Sequence, residues 1–101
     1  MAKVAHPDIA DVTLDQVLSA LGDPVRLKIV QMAAVDPQPC HVFQGGLSKS
    51  TLSHHMKILR EAGIIRQETQ GTCRLTSIRK KELNSRFPGV LASVLKSAAK
   101  K

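Results

Sequence analysis

Apolar residues recur along this chain with two different periods, and the change of period divides it. Leu14, Val17, Leu18 and Leu21 stand at i, i+3, i+4 and i+7, one face of a helix. Thr13 suits the N-cap of that helix, and Gln16 three residues on completes a capping box. Gly22 fits a left-handed position after its end. Asp23 then serves as the next N-cap, with Pro24 at the first helical position. The second helix is expected from about Pro24 to Ala34. Val25, Leu27, Ile29, Val30, Met32 and Ala33 surround it, so it should be the central, most buried helix. "HPDIADV" (6–12) shows no helical period and reads as a leader.

Two prolines in "DPQPC" (36–40) stop the second helix, because each removes a backbone donor. "CHVFQ" (40–44) can form about one helical turn before Gly45-Gly46. "LSKSTLSHHMKILREAGII" (47–65) then carries two stripes. Leu52, Met56 and Leu59 form a core stripe; Ser50, His54 and Lys57 form a polar one at i, i+4, i+7. Ser48 caps this helix and Gly63 closes it. From Ile65 the period falls to two. Ile65, Gln67 and Thr69 alternate with Arg66 and Glu68, Gln70-Gly71 offers a turn, and Thr72 to Ile78 returns as the second arm of a hairpin. "KKELNSRF" (80–87) can be a short helix. Pro88 opens a last helix with Val90, Leu91, Val94, Leu95 and Ala98 on one side. The organisation expected is a leader (1–12), one folded domain (13–96) and a frayed basic tail (97–101).

With 101 residues the chain is one domain, and a small one, so a second copy would help it bury apolar surface. Only two Phe, and no Trp or Tyr, weigh against a protein that stacks single-stranded bases. The first twelve residues lack the apolar core of a secretion signal, and no apolar run approaches a membrane span. A cytoplasmic protein with reduced cysteines and no membrane partner is expected. Residues 1–48 hold three Lys/Arg against five Asp. Residues 49–101 hold twelve against three Glu. A surplus of nine positive charges in the second half suggests a polyanionic partner; the alternative is a solvated basic surface.

Mainly α with a small β-hairpin, this order of elements makes a winged helix-turn-helix. A helix that enters the major groove of double-stranded DNA must be apolar behind and polar in front, with short donors and acceptors near its N-terminus. Ser48, Lys49, Ser50, Thr51 and Ser53 stand there, followed by His54, His55 and Lys57. The stretches "ALGDPVRLKIV" (20–30), "LSKSTLSHHMKILREAGII" (47–65) and "RQETQGTCRLTSIR" (66–79) resemble the ArsR/SmtB family of bacterial winged-helix repressors, and "LNSRFPGVLASVL" (83–95) resembles the tail of a subgroup of it. The resemblance spans roughly residues 13–95. It implies a homodimer held by its terminal helices, acting as a repressor on an inverted-repeat operator. Leu14, Val17 and Leu18, with Val90, Leu91, Val94 and Leu95, are the residues expected in that dimer interface.

Arg66 and Arg74 flank the hairpin turn and suit phosphate or minor-groove contacts; ordinary surface charge is the alternative. Arg26, a cation in the first turn of its helix, needs an anionic partner, either Asp23 or a DNA phosphate. His54 is expected on DNA rather than merely in solvent. His55 lies nearer the core stripe, and a half-buried, hydrogen-bonded ring is as good a reading as a phosphate contact. Adjacent residues diverge by about 100° on a helix, so the two rings do not readily chelate one ion.

The resemblance also implies where metal would be sensed: a Cys-x-Cys pair in the first helix of the helix-turn-helix, or Asp, His and Glu ligands on the last helix. Here Cys40 is followed two residues later by Val42, and "PGVLASVLKSAAKK" has none of those ligands. No cofactor is therefore expected. Cys40 with His41 remains a weak metal candidate, short of the ligands zinc needs. Cys40 with Cys73 remains a thiol-redox candidate. An enzyme is not expected, since Ser53 and His54 diverge on a helix and cannot pair as nucleophile and base. Two other readings stay open, a winged helix used as a protein-interaction module and a thiol- or metal-responsive family member using Cys40.

Overall fold

Side-chain caps set the corners of the first half. In the computed structural model, which describes residues 5–70 and 73–99 (backbone only at Gln70 and Cys73), helix α1 spans Leu14–Leu21 and helix α2 spans Pro24–Val35. The capping box at the start of α1 forms as expected: Thr13 Oγ1 accepts from Gln16 N, and Gln16 Oε1 accepts from Thr13 N at 2.9 Å. One carboxylate oxygen of Asp23 accepts from both Val25 N and Arg26 N at the start of α2. Gly22 departs from expectation. Its φ is −81°, so the α1–α2 corner uses no left-handed residue. The Gly22 N–H donates to Ser19 O there, and the Asp23 cap starts α2.

Strand β1 (Gln38–Pro39) follows, and the period reading missed it. Two residues are too few to show alternation, and Pro39 is tolerated because β1 is an edge strand. A 3-10 turn over Cys40–Phe43 leads to the Gly45-Gly46 loop and to helix α3 (Lys49–Glu61). Gly63 (φ +72°) then reverses the chain, as expected. The positive φ favours glycine, and a Cβ there would also press on Ile9 Cδ1 and Val12 Cγ2 at 3.0 Å.

Strands β2 (Ile65–Gln70) and β3 (Cys73–Ile78) pair antiparallel, from Ile65 opposite Ile78 to Gln70 opposite Cys73. Sheet order is β1-β3-β2. The turn expected at Gln70-Gly71 lies partly outside the described residues. Helix α4 (Lys80–Arg86) and helix α5 (Val90–Ala99) complete the fold. The last helix starts at Val90 and not at Pro88, because Gly89 (φ +81°) interposes a turn. It also continues to Ala99, into the stretch expected to fray.

Val30, Leu59, Ile64 and Ile65 are wholly buried at the centre, where α2, α3 and the sheet meet. Helix α2 is less enclosed than its composition suggests. Only Ile29, Val30 and Ala33 are buried, and Val35 is 87% exposed. The expected leader belongs to the packed unit. Ile9–Asp11 form a 3-10 turn capped by Asp8, Val12 is buried, and Arg79 Nη1 donates to Pro7 O at 2.9 Å.

His6 ties this segment to the sheet, its Nε2 accepting from Gln67 N at 2.9 Å. That bond needs the neutral ring. Burial, then the charges of Arg66, Arg79 and Arg60, lower its pKa from the ordinary 6.5, against a small opposing pull from Glu68. The unfolded chain therefore takes up this proton more readily than the folded one. The stability contributed by the neutral ring is complete above the unfolded value and is lost as pH falls through it. Urea unfolding should show stability rising between about pH 5 and pH 7, and His6→Gln, which keeps an acceptor that does not titrate, should flatten that rise.

Candidate nucleic-acid interface

Helix α3 is held by a narrow stripe. Leu52, Met56 and Leu59 are buried, while Lys49, Ser50, Thr51, Ser53, His54 and Lys57 are exposed. Ser48 starts it with extended backbone (φ −68°, ψ 157°), and its Oγ accepts from Thr51 N at 3.1 Å. The Ser48 hydroxyl also lies 2.8 Å from Thr51 Oγ1 and 3.2 Å from Ser50 Oγ. Three hydroxyls thus cluster where the unpaired N–H groups of the first turn point outward, an arrangement that favours anions.

Beside α3 the hairpin adds a second wall. A groove of about 250 Å³ is lined by Ser53, Lys57 and Arg60 of α3 and by Gln67 and Arg74 of the strands, with Cys40, Leu52 and Met56 alongside. Arg74 is exposed and pairs with Thr69, one rung from the end of the hairpin. Arg60 and Gln67 were not among the residues expected here. Arg60 Nη1 donates to Gln67 Oε1 at 2.9 Å. Arg60 lies three residues beyond Lys57, between the polar stripe and the core stripe, which the polar spacing alone does not single out. Gln67 looked like a strand residue of no special chemistry, and only the packing shows it buried at 3% exposure.

Three expected contact residues are placed elsewhere. Arg26 turns back to the end of α1, where Nε donates to Ala20 O at 2.7 Å and Nη2 to Ser19 O at 3.4 Å. Of the two partners expected for it, Asp23 makes no ion pair with its guanidinium. The negative pole of the α1 dipole holds it, which answers the unfavourable position at the start of α2. Its Nη1 donates to His55 Nδ1 at 3.1 Å, so His55 is the half-buried, hydrogen-bonded ring of the two readings offered for it. Asp23 nearby stays ionised: the Arg26 N–H foremost, then the Val25 N–H and the Arg26 charge, hold its carboxyl below the usual range against a partial desolvation penalty. Arg66 does not flank the turn. It pairs with Ser77 at the root of the hairpin, and its guanidinium meets Glu82 at 3.1 Å. Glu82 also pairs with Arg79, whose hydrogen bond is the main reason its pKa is lowered.

Cys40 Sγ is half-buried, 3.4 Å from Thr76 Oγ1 and accepting from Gln67 Nε2 at 3.3 Å. His41 is exposed beside it. Among the described residues no three His, Cys, Asp or Glu side chains come together as a metal cluster. The side chain of Cys73, its expected redox partner, lies outside the described residues. The His54 and His55 rings sit 6.0 Å apart between centroids and tilted by 55°. Among the described residues no helix is long and apolar enough to cross a membrane.

A polar-faced helix that offers hydroxyl, imidazole and ammonium groups beside a hairpin carrying Arg74 has the form of a winged helix-turn-helix. The sequence model for "Bacterial regulatory protein, arsR family" matches residues 42–67, from the 3-10 turn through α3 into β2. The uncharacterized HTH-type transcriptional regulator MJ1325 of Methanocaldococcus jannaschii is 33% identical over 60 residues, 56% of this chain and 67% of that protein. The uncharacterized HTH-type regulator YceK of Bacillus subtilis is 29% identical over 83 residues, 78% of this chain and 83% of that protein. In structure, the homodimeric winged helix-turn-helix DNA-binding domain of Mb0332 from Mycobacterium bovis superposes with a TM-score of 0.67 at 21% identity, covering 97% of this chain and 92% of that one. The chain belongs to the ArsR family of bacterial regulatory proteins. It is a helix-turn-helix transcriptional regulator and not an enzyme.

The inward placement of Arg26 has a measurable consequence. Arg26→Met should lower unfolding free energy by about 1–3 kcal/mol, since it strips partners from the α1 carbonyls and from His55. Urea denaturation checks this; unchanged stability would show the guanidinium to be idle in folding.

Proposed function

We propose that this regulator is a homodimeric repressor, reading an inverted-repeat operator with one α3 from each subunit. The observation that carries this reading is the two-sided α3, with Leu52, Met56 and Leu59 buried and Ser50, His54 and Lys57 free. In this reading Ser50 and His54 meet base edges in the major groove, Ser53 faces the DNA beside them, Lys49, Lys57 and Arg74 meet phosphates, and Ser48 and Thr51 hold the first turn. Two α3 helices related by a two-fold axis reach successive major grooves about 34 Å apart. The protein acts in the cytoplasm without a resident cofactor.

The dimer contact is assigned to α1 and α5, with a revision. Val17 (3% exposed) and Leu91 (6%) belong to the core of a single chain and so are not free to pair. Leu14 (43%) and Leu18 (49%) are large apolar residues left open on α1. Val90, Val94 and Leu95 are half-buried on α5. Residual apolar surface of this kind on a small domain marks an interface. The structurally similar Mb0332 domain is itself homodimeric.

With Arg66 bound to Glu82, the phosphate contacts reduce to three residues on each subunit. Fluorescence anisotropy with an operator selected from random duplexes should give a log–log salt slope of about −5, from about six phosphates at −0.9 each. A slope near zero would contradict the interface. Ser50→Ala and His54→Ala should each cost about 1–3 kcal/mol on the selected operator and little on random duplex. A winged helix that served only to bind protein would show neither effect.

Leu18→Asp should convert the dimer to a folded monomer, seen as halved mass in light scattering with unchanged far-UV circular dichroism. An unchanged dimer would remove α1 from the interface.

A further inference from the structure

Helix α2 is apolar almost all round, yet one of its flanks is left open. Between it and the segment leading to α3 lies a pocket of about 480 Å³. Val25, Ile29 and Met32 of α2 face Val42, Phe43 and Leu47 across it. This volume lies within the range of small-molecule sites, and the lining is mostly apolar, as such sites are. Lys28 is the one charged residue of the lining, and no Asp or Glu shares it. Among the described residues the Lys28 ammonium makes no ion pair. An apolar hollow with a single unpaired cation at its exposed edge complements a ligand with an apolar body and one negative end. The body supplies most of the affinity by leaving water, and the charge sets orientation, since an exposed ion pair contributes little.

We propose that this pocket binds a small amphiphilic monoanion, a carboxylate on a medium-length apolar tail. The tail lies between α2 and the Val42–Leu47 wall, and the carboxylate meets Lys28. Leu47 lines the pocket and immediately precedes the Ser48 cap, so occupancy is felt at the first turn of α3.

The test uses the full chain and decanoate, held below the concentration at which it forms micelles. Amide cross-peaks in two-dimensional NMR should shift saturably at residues 25–32 and 42–51. Lys28→Glu should weaken decanoate binding about three- to tenfold while leaving neutral decanol unchanged. Val42→Trp, at an exposed position, should fill the pocket and abolish both without altering far-UV circular dichroism. Absence of saturable shifts, equal decanoate binding by Lys28→Glu, or shifts centred on α1 and α5 would overturn the proposal. So would shifts that follow protein concentration and ignore decanoate, which would make this flank a contact between copies.

Discussion

Helix α3 can face outward only because so little of it faces inward. Three side chains, Leu52, Met56 and Leu59, carry its docking, and they meet the fully buried Ile64, Ile65 and Val30 side of the core. A wider apolar stripe would hold the helix more firmly but would take Ser53 or His54 out of the free face. The domain offsets the narrow stripe with constraints at both ends of the helix. Ser48 caps the start, and Gly63 turns the chain so tightly that Ile9 and Val12 close over it. The position of the polar face is therefore set by elements remote in sequence, including Ile9 and Val12.

Polar groups behind this face are satisfied within the protein. Arg26 joins the end of α1 to His55, so the orientation of α3 is tied to α1 through a cation placed at a helix C-terminus. Gln67 plays the same part at the root of the hairpin, linking His6, Arg60 and Cys40 in one buried set of hydrogen bonds. Arg79 and Arg66 converge on Glu82 and fix α4 against the sheet. Arg60, Arg66 and Arg79, three of the cations behind the +9 surplus of residues 49–101, are thus engaged within the fold, while Lys49, Lys57 and Arg74 stay exposed along α3 and the hairpin, open to a polyanion.

What the sequence made legible follows from which signals are local. The Thr13–Gln16 box, the Asp23 cap, the two stripes of α3 and the alternation after Ile65 each lie within a few residues, and each appears in the structure. Strand β1 was invisible because its pairing with Thr76 and Leu75 is non-local. The engagement of Arg26 and Arg66 was equally hidden, since a charge at a suitable spacing does not show whether a carbonyl or carboxylate from another element reaches it first. Val17 and Leu91 lie on the correct apolar faces. Periodicity cannot say which part of a face is used within one chain and which is left for a second.

In the proposed complex α3 presents its Ser50–His54–Lys57 face to the major groove while Arg26 and His55 stay within the fold. Chemical-shift mapping of the amide groups on addition of a selected operator duplex tests it most directly. The largest changes are expected at residues 48–57 and at Arg74, with the arginine Nε signal of Arg26 unmoved. Largest changes on α1 and α5, or an Arg26 signal that moves with the operator while Lys57 does not, would contradict it.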